Sequence, residues 1–340
     1  MLEKFVGSLI GCALGDAVGF PVEKQMPETC QNYITQMYMT GKLVGYTRRH
    51  RDAVYTFGNF SDDTQLSREL MISFTNSHGW NPEDYADRIA EIFKTNRITG
   101  AGGSTRKAAE AILSGKHWTE TGSKPPLSGN GSAMRAAPVG LYYAKDGDYK
   151  ALIKASQEQS LITHQDPRCQ SGSVLVALAT ALAILPETNK ISPSEFLEVL
   201  ILIATENNAL DPVTVEALDV LRDVLNKDYD TAVEAIAALD TVRDTQSWKW
   251  IAPYATTTVM WSLWCFLNHM DNYEASIVSA IVCGGDVDST AAICGAISGA
   301  RLGIDAIPTR YLDHLHDRGT TCKVPELIEI ATAFYEASIS

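Results

Sequence analysis

The sequence lacks the closely spaced cysteines that form zinc sites or a disulfide framework. No C-x-x-C motif occurs among its seven cysteines, and their number is odd. Scattered cysteines of this kind are typical of free thiols in a reducing compartment, so a cytoplasmic location is expected. The apolar stretch from Phe5 to Leu14 has the length of a secretion signal. However, Glu3 cancels the charge of Lys4, and regularly spaced glycines interrupt the stretch, so secretion is disfavoured.

Positive charge is also scarce. Lys and Arg together number 28 against 41 Asp and Glu, which gives a net charge of −13. Such a surface repels a polyanion, and general nucleic-acid binding by a basic face is therefore disfavoured. A local pocket can still bind one small anionic ligand.

Long apolar runs and strand-like alternation are both rare. The longest apolar run, Val174 to Leu185, is too short to span a bilayer, so no membrane association is expected. The best strand candidate, Ala53 to Phe57, is short. The spacing of Ala, Leu and Ile instead predicts helices in six segments: Ser104 to Ser114, Asp148 to Leu161, Ser171 to Leu185, Ser194 to Thr205, Val213 to Leu225 and Thr231 to Leu239.

No linker, charge block or long repeat divides the chain. The stretch richest in turn-forming residues, Thr119 to Gly131, contains several glycines and prolines and is typical of a loop inside a domain. We therefore expect an all-α fold in which residues 1–340 form a single domain.

Two glycine stripes occur at four-residue spacing, one near each end of the chain: Gly7, Gly11 and Gly15, then Gly295, Gly299 and Gly303. Residues four apart lie on one face of a helix. Because each glycine inside a helix costs about 0.5–1 kcal/mol relative to alanine, three in register suggest close backbone contact. We expect these two helices to pack near the centre of the fold, where they could contact each other.

Two acidic clusters each precede an apolar helical segment: Ser61-Asp62-Asp63-Thr64, and Gly284-Gly285-Asp286-Val287-Asp288-Ser289-Thr290. Either cluster alone is equally well explained as a helix cap, because Ser and Asp bind free amides and acids offset the helix dipole. A cap, however, needs one oxygen, whereas each cluster offers several. Adjacent helical residues such as Asp62 and Asp63 point about 100° apart and could reach two neighbouring ions.

Adding Glu23 gives five acids, which would be strongly unfavourable if they clustered without counter-charge. Two divalent cations would nearly neutralise them. Carboxylate and hydroxyl ligands without Cys or His favour Mg²⁺ or Mn²⁺ over zinc.

The chain resembles the ADP-ribosylglycohydrolase family in six motifs that occur in the family's order. They are Gly7 to Gly19 followed by Glu23, Ser61 to Thr64, Gly100-Ala101-Gly102 with Thr105, Gly129 to Arg135, Thr163-His164, and Gly284 to Thr290. The resemblance runs nearly end to end. It implies a compact, orthogonal all-α fold and a hydrolase with two Mg²⁺ (or Mn²⁺) ions that removes ADP-ribose from a modified macromolecule.

The resemblance also implies a ligand set for the two ions. Ser61, Asp62, Asp63 and Asp288 would hold one ion. Asp286, Asp288 and Ser289 would hold the other, with Glu23 reaching it in some states. As catalytic residues we expect Asp62 or Asp63 to accept the proton of the attacking water, and Glu23 to assist the leaving group or gate entry.

Substrate contacts are expected from two glycine-rich loops and two single residues. Free amides where a loop enters a helix favour anions, which assigns the diphosphate to Gly100, Gly102, Gly103, Ser104 and Thr105. A second set of amides is expected at Gly129, Asn130, Gly131 and Ser132. By its family position His164 should bind phosphate or ribose, and Tyr254 is expected to stack on adenine. For Arg135 we expect an internal ion pair.

One departure concerns the linkage that is cleaved. The nitrogenase-regulating branch of the family carries an Asp just before the glycine of its middle motif, whereas this chain has Gly100 or Ala101 there and no acid between Glu91 and Glu110. The acceptor therefore stays open among arginine, serine and another adduct. Two other functions remain alternatives: a two-metal nucleotide phosphoesterase or pyrophosphatase, and a catalytically inactive ADP-ribose-binding protein.

Overall fold

The computed structural model describes residues 1–40, 48–50, 53–240, 250–318 and 322–339. Within these residues the fold is all-α, as predicted. The helices are α1 (Leu2–Gly19), α2 (Pro27–Thr40), α3 (Asp62–Ser77), α4 (Pro82–Lys94), α5 (Gly103–Leu113), α6 (Ala137–Ala144), α7 (Tyr149–Leu161), α8 (Pro167–Ile184), α9 (Pro193–Glu206), α10 (Pro212–Val224), α11 (Tyr229–Ala237), α12 (Ala255–Asn268), α13 (Tyr273–Val282), α14 (Val287–Leu302), α15 (Thr309–Leu312) and α16 (Val324–Ile339).

Strand structure in the described residues is limited to one short hairpin. Strand β1 (Arg48–His50) pairs antiparallel with β2 (Ala53–Tyr55), which lies within the strand predicted at Ala53 to Phe57. The six predicted helices correspond to α5 and α7 to α11, with ends that differ by up to four residues.

Local sequence signals explain where several helices begin. At α9, Ser192 accepts a hydrogen bond from the Glu195 amide while the Glu195 carboxylate accepts one from the Ser192 amide, with Pro193 as the first helical residue. This reciprocal capping box satisfies two amides that lack an intrahelical partner. Asp148 and Asp211 cap α7 and α10 with their side chains, which accept from the amides of Ala151 and of Val213 and Thr214, without the reciprocal bond.

The predicted packing of the two glycine helices is confirmed, and it lies at the centre of the fold. Helices α1 and α14 run antiparallel with their backbones in contact. A Cβ built on Gly11 would lie 2.3 Å from the Gly295 carbonyl oxygen, and one on Gly299 would lie 2.0 Å from that of Gly7. Gly303 departs from the expectation because it ends α14 at φ 80° instead of continuing the stripe.

Among the described residues, two segments are long and apolar enough to span a membrane by length and composition. They are Leu2–Val22 and Pro167–Ile184, with mean hydropathies of 1.6 and 1.2. Their windows are 94% and 83% buried inside the protein, and core helices pass the same test. All seven cysteines are free and buried, as the scattered spacing predicted.

Candidate functional site

A cavity of about 340 Å³ collects most of the residues that the sequence marks as functional. Its lining comprises Glu23, Lys24, Asp62, Asp63, Gly100, Ala101, Gly102, Gly103, Ser104, Thr105, Gly129, Asn130, Gly131, Met134, His164, Pro253, Asp286, Asp288 and Ser289. The two acidic clusters, although more than 220 residues apart in the sequence, therefore face one cavity.

The antiparallel crossing of α1 and α14 brings Glu23, Asp286 and Asp288 together. The end of α1 meets the start of α14, where a Cβ on Gly19 would lie 2.6 Å from the Asp288 Cα atom. Beyond α1, the Lys24 amide donates to the Gly285 carbonyl at 2.8 Å. One carboxylate oxygen from each of Glu23, Asp286 and Asp288 lies within 4.8 Å of the others.

The turn before α14 depends on two glycines with positive φ. Gly284 has φ 77° and Gly285 has φ 93°, a region that side chains other than glycine rarely adopt. A Cβ on Gly285 would also lie 2.2 Å from the Ile251 carbonyl oxygen. The Asp286 amide donates to that same oxygen at 2.8 Å, which fixes Asp286 at the N-terminal end of α14.

The acidic cluster from Ser61 to Thr64 lies at the start of α3 and is held by a buried carboxylate from α1. Asp16 Oδ2 accepts from the Ser61 amide at 2.9 Å, from the Thr64 amide at 3.1 Å and from the Thr64 hydroxyl at 2.6 Å. Ser61 is the N-cap residue and donates its hydroxyl to Asp63 Oδ2 at 3.1 Å. Asp16 thereby positions Asp62 and Asp63 at the edge of the cavity.

The electrostatics of the cluster favour protonation or cation binding. Burial raises the pKa of Asp62 and Asp63 well above the ordinary range, and the nearby Asp16 carboxylate raises both further. Burial also raises the pKa of Asp286 to about 7, with a contribution from Glu23. Closely spaced buried carboxylates repel one another unless a proton or a cation intervenes.

The donor set fits hard divalent cations. Glu23, Asp62, Asp63, Asp286 and Asp288 all present carboxylates to the cavity, and no Cys lines it. Asp63 Oδ1 is buried and has no hydrogen-bond partner among the described residues. Oxygen ligands of this kind suit Mg²⁺ or Mn²⁺.

A glycine-rich loop enters α5 on another side of the cavity. Its Gly100 has φ 82° and lies against the acids, since a Cβ there would be 3.1 Å from Asp62 Oδ1. The N-cap residue Gly102 has no side chain to bind the amides of the first turn, and a Cβ on Gly102 or Gly103 would meet no atom within 4 Å. The open first turn can therefore receive an anion.

The loop Gly129 to Gly131 packs directly against the His164 ring in the wall of the cavity. A Cβ on Gly129 would lie 3.3 Å from His164 Nε2, and one on Gly131 would lie 2.8 Å from Cε1. Asn130 does not point at open space, because its side-chain amide donates to the Asp286 carboxylate and to the Thr258 hydroxyl. It therefore links the glycine loop to the acidic cluster.

Three predicted site residues are not part of the cavity lining. Ser61 lies behind Asp63 and contacts it directly. Ser132 is fully buried, and its hydroxyl accepts from the Ser160 hydroxyl at 2.9 Å, so the contact of its amide with substrate stays a prediction. Tyr254 is half-buried beside the lining residue Pro253, and its stacking on adenine stays a prediction.

The internal ion pair expected for Arg135 was wrong within the part of the chain that the structure describes. Its guanidinium is fully buried and donates to neutral oxygens: Gln159 Oε1 at 2.9 Å, the Gln159 carbonyl at 3.0 Å and the Thr163 hydroxyl at 2.8 Å. It also lies over the Tyr85 ring, 5.4 Å from the centroid.

Five residues at the site had no role assigned from the sequence. Lys24, Ala101, Met134 and Pro253 line the cavity, and Asp16 supports α3 from behind. Asp16 carried a detectable signal, since it is the one acid between Phe5 and Gly19 in an otherwise apolar, glycine-rich helix. A carboxylate buried there needs donors, and the amides at the start of another helix supply them.

The comparisons with known proteins agree with the geometry. A model of the ADP-ribosylglycohydrolase family matches residues 1–339. An uncharacterized protein of Archaeoglobus fulgidus is 32% identical over 99% of this chain and 97% of its own length. ADP-ribosylhydrolase ARH3 of Bos taurus is 26% identical over 91% and 88%. A solved chain described as an ADP-ribosylglycohydrolase-related protein complex shares the fold, with a TM-score of 0.65 at 23% identity over 99% of this chain and 98% of that one. The chain therefore belongs to the ADP-ribosylglycohydrolase family.

Proposed function

We propose that this protein hydrolyses the bond between ribose C1″ of ADP-ribose and a modified macromolecule, using two divalent cations, Mg²⁺ or Mn²⁺. The observation that carries the proposal is the convergence of Glu23, Asp286 and Asp288, with oxygens within 4.8 Å, in the cavity that also holds Asp62 and Asp63. We further propose that residues 1–340 act as one domain and that the enzyme works in the cytoplasm.

The cations would be held by the carboxylates of the cavity, with Ser289 as a hydroxyl ligand and Ser61 orienting Asp63. When bound, they supply Lewis-acid chemistry, which orients ribose hydroxyls and makes water more acidic. The fit rests on the oxygen-rich lining and on the unpartnered Asp63 Oδ1.

The chain's own residues supply the proton transfers. Hydrolysis at an anomeric carbon passes through an oxocarbenium-like transition state and needs an activated water. Asp62 is the proposed base, because it is more exposed than Asp63, whose Oδ2 already accepts a hydrogen bond from Ser61. Glu23 is the proposed acid that assists the leaving group.

Binding of the diphosphate is assigned to the first turn of α5. Gly102 leaves the amides of Gly103, Ser104 and Thr105 uncapped by a side chain, and their partial positive charge stabilises an anion. His164, in contact with Gly129 and Gly131, contributes a further hydrogen bond to phosphate or ribose. Tyr254 stays the proposed adenine contact.

The decisive experiment is mass spectrometry of arginine- and serine-ADP-ribosylated peptides after incubation with the protein and Mg²⁺. The proposal expects free ADP-ribose and an unmodified peptide, and loss of one modification but not the other identifies the acceptor. Release of AMP instead would indicate cleavage at phosphorus, as expected for a phosphoesterase. Binding of ADP-ribose without turnover of either peptide would indicate either another acceptor linkage or an inactive binding protein, and assays of further ADP-ribose adducts separate the two.

A further inference from the structure

A buried hydrogen-bond chain leads from Arg135 to the cavity through Thr163 and His164. Arg135 Nη2 lies 2.8 Å from Thr163 Oγ1, and Thr163 Oγ1 lies 2.8 Å from His164 Nδ1. Arg135 and Thr163 are fully buried and His164 is 3% exposed. The proposed mechanism uses His164 but assigns no role to Arg135 or Thr163.

The direction of each hydrogen bond follows from the chemistry of the donors. A guanidinium has only donors, so the Thr163 oxygen must accept from Arg135. The Thr163 proton then needs an acceptor of its own. Among the described residues, His164 Nδ1 is the acceptor within hydrogen-bond distance. If Nδ1 carried the proton instead, the Thr163 hydroxyl proton would be buried without a partner, which is unfavourable.

The direction of the chain fixes the state of the imidazole. Nδ1 accepts, so in the neutral ring the proton resides on Nε2. Nε2 faces the cavity between two glycines: a Cβ would lie 3.3 Å from it at Gly129 and 3.4 Å from it at Gly131. Any side chain at these positions would crowd the ring edge that presents the N–H.

We propose that Arg135 and Thr163 are positioning residues that hold His164 as a neutral Nε2–H donor aimed into the cavity, where it binds an oxygen acceptor of the ADP-ribose. The ligand part rests on the proposed function, whereas the tautomer part does not. Among the described residues, no other group donates to His164 Nδ1. The Arg135 guanidinium therefore orients the ring through Thr163, although Arg135 does not line the cavity.

The charge state of His164 agrees with this geometry. Burial, with a contribution from the Arg135 cation, lowers the pKa of His164 to about 3. A ring that stays neutral near pH 7 donates one directed hydrogen bond and adds no positive charge that would compete with the cations for the carboxylates.

The test combines a spectroscopic readout with a matched pair of variants. Long-range ¹H–¹⁵N spectra of the ¹⁵N-labelled protein distinguish a protonated ring nitrogen from an unprotonated one, and His164→Gln identifies the His164 signals among the seven histidines. The proposal expects an unprotonated Nδ1 and a protonated Nε2 in the wild-type protein near pH 7. Thr163→Val should change this pattern, and Thr163→Ser should restore it.

Binding of ADP-ribose, measured by calorimetry, gives the second readout. Thr163→Val should weaken binding about tenfold or more, the value expected when a hydrogen bond to a charged group is lost. Thr163→Ser should bind like the wild type. Thr180→Val is the control, because it makes the same change at a buried threonine whose hydroxyl bonds only within α8, to Val176.

Three results would overturn the inference: an Nδ1–H tautomer in the wild type, an imidazolium near pH 7, or unchanged ADP-ribose affinity in Thr163→Val. Failure of the proposed function gives a different pattern. If the wild-type protein binds no ADP-ribose, the ligand part falls with the proposed function, while the spectra of the free protein still decide the tautomer.

Discussion

The backbone contact between α1 and α14 makes Gly295→Ala a sharp test of how the site is assembled. A Cβ at this position would lie 2.1 Å from the Gly11 carbonyl oxygen and 2.8 Å from its carbonyl carbon. Restoring ordinary contact distances requires the two backbones to separate by roughly 1 Å or more. A rotamer change cannot relieve the clash, because both partners are backbone atoms or a Cβ.

The expected loss of stability combines two opposing effects. Alanine gains about 0.5–1 kcal/mol over glycine inside a helix, while forcing extra volume into a packed core costs about 1–3 kcal/mol and sometimes more. Because the clash involves backbone atoms, the cost should lie at the upper end, about 3 kcal/mol. Less the helical gain of about 1 kcal/mol, Gly295→Ala should lower the free energy of unfolding by about 2 kcal/mol. Because α1 leads to Glu23 and α14 begins beside Asp286, the variant should also respond less to Mg²⁺ in thermal denaturation.

Urea denaturation followed by circular dichroism at several Mg²⁺ concentrations measures both effects. Gly172→Ala is the matched control: it lies inside the buried helix α8, but its Cβ would meet side-chain atoms at 3.3 Å and beyond. This control should be within about 1 kcal/mol of the wild type. A Gly295→Ala protein as stable as the wild type, or a control equally destabilised, would refute the reasoning.

Three further predictions concern the acids. Chelation by EDTA should lower the melting temperature of the wild type, because a ligand at one hundred times its Kd stabilises by about 2.7 kcal/mol. Asp286→Asn should lose most of this difference between the EDTA-treated and metal-loaded protein. A wild type whose melting temperature does not respond to EDTA would contradict the metal site. In EDTA the folded pKa of Asp286, about 7, lies above its unfolded value, so the folded state binds the extra proton between them. The contribution of Asp286 to the free energy of unfolding should therefore be highest below about pH 4. It should fall as the pH rises to about 7, by at most about 1.4 kcal/mol per pH unit. A free energy of unfolding that rises over this range in urea denaturation would refute the assignment. Asp16→Ala removes the acceptor of three hydrogen bonds from Ser61 and Thr64 and should lower the free energy of unfolding by about 3 kcal/mol, with a large fall in kcat; an unchanged kcat in a folded variant would show that Asp16 does not position the acids.

Much of the fold was readable from local sequence signals. Capping residues and prolines mark the start of α7, α9 and α10, and the glycine stripes identify the two helices in backbone contact. The end of α14 was misplaced because Gly303 continues the four-residue spacing although it adopts φ 80°. Spacing alone does not distinguish a glycine needed for close contact from one needed for a positive φ.

The site was only partly predictable. The sequence identifies the acids and the glycine loops, because their residue types are unusual in those contexts. It cannot show that Asn130 donates to Asp286 instead of to a ligand, or that Ser132 turns inward toward Ser160. The ion pair expected for Arg135 also failed, because its Nε and Nη2 donate to neutral oxygens of Gln159 and Thr163. These outcomes depend on which distant elements meet.

The glycine crossing and the acidic cluster impose opposite demands on the same helices. Mutual repulsion would drive Glu23, Asp286 and Asp288 apart, yet the contact between α1 and α14 is made by backbone atoms that cannot yield by rotating a side chain. The Lys24 ammonium, 3.7 Å from Glu23, offsets part of this repulsion. Protonation or bound cations would relieve the rest. A looser frame, with side chains between the helices, would let the acids separate and would bind cations more weakly. On this reasoning, substitutions that widen the crossing far from the acids should weaken Mg²⁺ binding before they unfold the protein.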